Sequence, residues 1–65
     1  MRLTRIDGTC RNGTCPTVYA TDRGTYVIQG YTVSDSELAG QVDLPRGEAA
    51  VEVPRELLER VARDL

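Results

Sequence analysis

Sixty-five residues with 40% hydrophobic content make one domain at most, too short for two cores and too apolar for a disordered chain. Eight basic residues, all of them Arg, stand against ten acidic ones for a net charge of −2, which argues against a general nucleic-acid binder held by phosphate contacts. His is absent, so the usual general base near neutral pH is missing. No Gly-rich phosphate loop or nucleophile elbow occurs either, and an enzyme is not expected.

Residues 1–6 mix β-branched and apolar side chains and predict a first strand, with Asp7-Gly8 as a turn signal. Arg2 and Arg5 interrupt the start, and no apolar run of leader length follows, so the expected compartment is the cytoplasm. Nor does any stretch approach the roughly 20 apolar residues of a membrane span.

Cys10-Arg11-Asn12-Gly13-Thr14-Cys15 comes next. Asn-Gly is the favoured pair for a two-residue type I′ hairpin turn, because both positions need positive φ. Such a turn sets Cys10 opposite Cys15 as a non-hydrogen-bonded pair with Cα atoms roughly 4.5 Å apart, at the short end of what a disulfide tolerates. Four states stay open for this pair. They are reduced structural thiols, a disulfide, half of a zinc site pooled across a dimer, and a redox centre. A reducing compartment disfavours the disulfide, and zinc lacks a third ligand within one chain. The spacing has two more residues than a Cys-x-x-Cys redox motif.

Thr17 to Thr21 predicts a strand with Val18 and Ala20 on one face and Thr17, Tyr19 and Thr21 on the other. After an Asp22-Arg23-Gly24 turn, Thr25 to Val33 is the densest β segment in the chain. Apolar residues on both of its faces predict a central strand, and Gly30 within it predicts a bulge or the close approach of another backbone. Ser34 to Gly40 predicts either a short helical turn, capped by Ser34 or Ser36 and ended by Gly40, or an ordered loop. Val42 to Leu44 is expected to be extended. Glu48 to Val53 predicts a last strand that buries Ala49, Val51 and Val53.

Pro54 then opens a helix, in which Leu57, Leu58, Val61, Ala62 and Leu65 form a stripe at helical spacing. Glu56–Arg60 and Glu59–Arg63 are favourable i,i+4 pairs. A helix this short is marginal alone, so the stripe has to pack on the sheet or on a partner. The expected fold class is α+β: a small antiparallel β-sheet of three to four strands with one C-terminal α-helix packed on it, as a single domain over residues 1–65.

Charge is uneven. Residues 34–52 carry Asp35, Glu37, Asp43, Glu48 and Glu52 against Arg46 alone, which suits solubility or a basic partner. Tyr19 and Tyr31 could share a face as an exposed aromatic patch of the kind enriched at interfaces, or simply fill a thin core with their hydroxyls reaching water.

Two family patterns bear on function. Val51-Glu52-Val53-Pro54-Arg55-Glu56-Leu57-Leu58-Glu59-Arg60-Val61 is similar to the opening of a ribbon-helix-helix DNA-binding protein. That family presents basic or amide side chains on the strand, whereas here Glu48 and Glu52 would face the DNA. Direct nucleic-acid contact is not expected by that route. Cys15-Pro16-Thr17-Val18-Tyr19-Ala20, Tyr26-Val27-Ile28-Gln29 and Ala50-Val51-Glu52-Val53-Pro54-Arg55-Glu56-Leu57-Leu58 together resemble the layout of small actinobacterial proteins encoded beside Xre-type helix-turn-helix regulators, the partners of WhiJ-like regulators. The Trp usual in that family's helix and the Asp-Ser-Lys usual after its second strand are missing here. The resemblance implies a protein that binds a helix-turn-helix regulator without touching DNA.

The expected function is therefore a small non-catalytic protein-interaction module that modulates a transcriptional regulator. Its expected contact residues are Tyr19, Tyr31, Leu57, Leu58 and Val61. A homodimer is left open, and neither cofactor nor membrane is expected. The alternative is a metal- or redox-responsive domain centred on Cys10 and Cys15, with zinc shared across a dimer.

Overall fold

The computed structural model describes residues 1–10 and 14–65; the expected Asn12-Gly13 turn lies outside them. Among the described residues the chain runs β1 (Leu3–Gly8), β2 (Thr17–Thr21), β3 (Tyr26–Gln29), β4 (Tyr31–Thr32), α1 (Asp35–Leu38), β5 (Val51–Glu52) and α2 (Arg55–Asp64). Strands β1, β2 and β3 form an antiparallel meander in that order, and β4 pairs antiparallel with β5 in a second, two-stranded sheet. The fold is α+β, with the C-terminal helix against β1.

β1 starts later than the sequence pattern predicts and runs through Asp7-Gly8 instead of turning there. The reason is a β-bulge. Arg5 pairs with Tyr19 and Asp7 with Val18, so Ile6 is the extra residue. A bulge lets two successive side chains lean towards the same side of a sheet. Here Ile6 packs against the core cluster, while Asp7 reaches Arg60 of α2. One inserted residue thus supplies β1 with both an apolar and an ionic contact to the helix.

The densest β segment is not a central strand. β2 is central, and β3 closes the three-stranded sheet. The expected single strand over 25–33 also breaks at Gly30 into β3 and β4. A Cβ on Gly30 would lie 2.7 Å from the Glu52 carbonyl oxygen and 2.7 Å from Val53 Cγ1, so the expected close approach of another backbone is present. β5 is shorter than the pattern over 48–53 suggests. Val51 and Ala49 are exposed, and Ala50 and Val53 are half-buried, because only Tyr31 and Thr32 offer a ladder to pair with. Residues 42–44 form no strand.

α2 begins after Pro54, whose φ of −61° and ψ of 141° place it as the extended cap residue just before the first helical turn. Its carbonyl accepts the Leu57 N–H at 3.1 Å. Leu57 and Val61 are one turn apart, and with Val18 they form the buried apolar core, flanked by Ile6 and Val53. Leu58, Ala62 and Leu65 of the predicted stripe face solvent instead. α1 matches the predicted helical turn, but Ser34 makes no side-chain cap bond; its hydroxyl pairs with that of Ser36.

Candidate functional site: an apolar surface and a disulfide-closed end

Three features of the surface carry chemistry. The first is apolar. Three hydrophobic residues are buried, whereas nine large hydrophobic or aromatic side chains are exposed among the described residues. That ratio is inverted for a chain whose stability rests on burying such groups. Tyr31 at 61% exposure and Val51 at 43% sit opposite one another's neighbours on the two-stranded sheet, where Tyr31 pairs with Glu52 and Thr32 with Val51. Tyr31, Glu52, Val53 and Pro54 line a shallow groove of about 290 Å³. On α2, Leu58 is exposed beside the buried Leu57.

The residues expected to meet a partner therefore divide. Leu57 and Val61 belong to the core and cannot contact a partner while the chain is folded. Tyr31 and Leu58 are accessible. Tyr19 is half-buried on β2, and its hydroxyl donates to Gln29 Oε1 at 3.1 Å across the sheet. Tyr19 and Tyr31 belong to different sheets. Tyr26 and Ile28 of β3, both exposed, were not among the expected contact residues. Their signal was available in the alternation of that segment, but it points outward only once β3 is known to be an edge strand.

The second feature is the cysteine pair. Cys10 and Cys15 are joined as a disulfide with Cα atoms 5.7 Å apart, wider than the roughly 4.5 Å of the hairpin pairing the turn signal implied and within the common range for a disulfide. Two side chains fasten the bridge to the sheet. Arg5 crosses over Gly8, where a Cβ would sit 2.8 Å from its Nη2, and donates to the Cys10 carbonyl at 2.8 Å. Thr17, fully buried, donates from its hydroxyl to the Cys15 carbonyl at 2.6 Å. The Thr9 N–H adds a backbone bond to the Pro16 carbonyl. In this state both sulfurs are bonded to each other, so thiolate ligation of zinc pertains to the reduced chain alone. Among the described residues no group of three or more His, Cys, Asp or Glu converges as a metal site.

The third feature is the ion pair between Asp7 and Arg60, residues far apart in sequence. Arg60 Nε donates to Asp7 Oδ2 at 2.8 Å, and Nη2 reaches the Gly8 carbonyl at 3.3 Å. The Gly8 N–H donates to Asp7 Oδ1 at 2.7 Å. The Arg60 hydrogen bond, followed by the Gly8 N–H, holds the Asp7 carboxyl below its ordinary value of 3.8. A carboxyl whose pKa is lower in the folded chain than in the unfolded one adds stability above the ordinary value. That contribution is lost as pH falls through the lower, folded value. Asp7→Asn should therefore flatten the acid side of a melting-temperature profile recorded from neutral pH down to about pH 2, with little change in shape above pH 5. Parallel acid limbs in the two proteins would show that the pair contributes nothing.

A concavity of about 260 Å³ lies beside α1, lined by Asp35, Leu38, Val42, Asp43 and Leu44 among others. No helix among the described residues is long and apolar enough to cross a membrane. Compared with protein-family models, curated proteins and solved structures, the chain matches none.

Proposed function

We propose that this chain is a small non-catalytic protein-interaction module that binds a transcriptional regulator through the Tyr31 groove and Leu58. The observation that carries the reading is the amount of surface left uncovered. The chain exposes 5287 Å², whereas a compact monomer of 7.2 kDa exposes roughly 4,100 Å² by the usual size scaling. The excess of roughly 1,200 Å² exceeds the ~800 Å² per partner of a standard interface. The radius of gyration of 13.0 Å is likewise larger than the about 11 Å expected at this length. Exposed Tyr, Leu and Val on that surface suit a hydrophobic contact with a polar rim.

The layout resemblance supplies the partner class, a helix-turn-helix regulator, and the acidic run over residues 34–52 suits a partner with basic character. Direct DNA contact is not part of the reading. A cytoplasmic setting belongs to the same proposal and would hold Cys10 and Cys15 as thiols; the disulfide form belongs to an oxidising one. Affinity capture from native lysate, with the bound protein identified, tests the reading. The expected result is a regulator with a helix-turn-helix domain, lost when Tyr31→Asp and Leu58→Asp are introduced into a chain that still melts cooperatively. Capture of no regulator, or capture that ignores both substitutions, would sink it.

The disulfide favours a second reading, a redox-responsive domain. A dithiol reductant would open the bridge, becoming a disulfide itself as two thiols form on Cys10 and Cys15. The expanded loop would then release the Arg5 and Thr17 anchors. Zinc belongs to this reading only after reduction, as one ion per two chains. Native mass spectrometry before and after reductant decides it, since an unchanged fold and no bound metal in the reduced chain leave the bridge purely structural.

A further inference from the structure

We infer that two copies of this chain associate by pairing β3 with β3 of the second copy, antiparallel about Val27, to make one continuous six-stranded sheet. The inference stands apart from the regulator-binding reading, because it uses a different edge of the molecule.

The two edges of the three-stranded sheet are treated differently. β1 carries Arg5 and Asp7, a bulge between them and the helix contact through Asp7 and Ile6. Charges, bulges and covering elements are the devices that keep an edge from pairing with another chain. Among the described residues, none of them is found along Tyr26–Ile28 of β3. Its sequence is Tyr26-Val27-Ile28-Gln29, with no charge, no Pro and no register irregularity against β2. Among the described residues, β2 is the only strand that pairs with it. β5 does not extend the ladder along β3, since Pro54 has no N–H to give and the chain turns there into α2.

The exposed side chains of β3 are complementary to themselves. In a twofold antiparallel pairing, residues opposite one another point to the same face. Centring the axis on Val27 sets Tyr26 opposite Ile28 of the second copy, Ile28 opposite its Tyr26, and Val27 opposite Val27. Aromatic and β-branched residues are the favourable cross-strand combination. Tyr26 at 49% exposure and Ile28 at 39% lie on the Val18 face, since Ile28 pairs with Val18 and Tyr26 with Ala20. The axis runs perpendicular to the sheet, so both α2 helices fall on that face and the two Tyr–Ile pairs fill the strip between them. The exposure of Tyr26 and Ile28 leaves that strip open in the single chain, and a net charge of −2 offers little repulsion between copies.

Sedimentation equilibrium of the oxidised chain should give twice the 7.2 kDa chain mass at micromolar concentration. Ile28→Asp, which sets a carboxylate against Tyr26 of the second copy, should weaken the dimer by roughly 100-fold or more. A register-specific readout keeps the inference testable if that variant folds poorly. Val27→Cys should cross-link to itself in a glutathione buffer, because Cα atoms of directly opposed residues lie roughly 4.5–5.5 Å apart. Thr25→Cys should not, since that residue opposes Gln29 and its own copy sits about 13 Å away along the strand. A monomer at every concentration overturns the inference, as does a dimer that Val27→Cys fails to cross-link or that a folded Ile28→Asp leaves intact. Failure of regulator capture would leave these masses and cross-links unchanged, so the two ideas fail separately.

Discussion

Leu57→Ala is expected to cost about 2–5 kcal/mol, enough to abolish cooperative unfolding at room temperature. Leu57 is completely buried, and among the described residues it shares the buried apolar cluster with Val18 and Val61. Truncating it removes the largest of three buried apolar side chains and leaves a cavity that the neighbours can fill only by moving the helix. A chain of 65 residues has roughly 3–10 kcal/mol of stability in total, so this one loss rivals the whole. The adjacent Leu58→Ala is the matched control. It deletes the same atoms from a side chain that is 45% exposed, and its cost should stay within about 0.5 kcal/mol. Urea melts followed by far-ultraviolet circular dichroism measure both. Equal effects at the two positions would mean that α2 is not docked as described.

The second large effect belongs to Gly30→Ala. The new methyl would lie 2.7 Å from the Glu52 carbonyl oxygen and 3.1 Å from Val51 Cβ. The carbonyl is backbone and cannot swing aside as a flexible side chain would. Relief comes from pushing β5 off β4, at a cost of about 1–3 kcal/mol, or from a shift of β3 against β2. Because β5 leads through Pro54 into α2, the disturbance reaches Leu57 within a few residues. Hydrogen exchange distinguishes the routes. Faster exchange confined to residues 31–32 and 51–52 identifies local separation of the small sheet, and faster exchange spread into β2 identifies displacement of β3. Unchanged protection throughout would contradict the close approach at Gly30.

Local patterns in the sequence announce the parts of this fold that are themselves local. Leu57 and Val61 at helical spacing, with Pro54 in front and the two Glu–Arg pairs behind, are sufficient for α2. Gly30 amid β-branched neighbours is sufficient for a close backbone approach. Three parts depend on partners far along the chain and left no such mark. Asp7-Gly8 has turn composition, yet it stays in the strand because Arg60 captures the carboxylate. Tyr26–Gln29 has the composition of a central strand, yet it ends a sheet because β5 is too short to flank it. Leu58 has the composition of the helix stripe, yet faces solvent because Leu57 and Val61, one turn apart, take the side of α2 that meets Val18. For the candidate surface the same division holds. Tyr31 and Leu58 were named as contact residues on composition alone and are exposed, whereas the exposure of Tyr26 and Ile28 depended on strand order. The cysteine pairing was one of four open states, since two sulfurs at that spacing obey the same geometry oxidised or reduced.

The core joins Val18 to Leu57 and Val61, and Asp7 joins β1 to Arg60 near the other end of the chain. The β1–β2–β3 meander is complete by Gln29, but its buried face has nothing to close against until α2 exists. On the ribosome, the nascent sheet would therefore emerge with Val18 bare and wait for more than twenty further residues before it could fold. Over that interval the unguarded β3 edge is exposed to any neighbouring nascent copy. Folding of this topology completes in one late step that brings β1 and β2 together with α2.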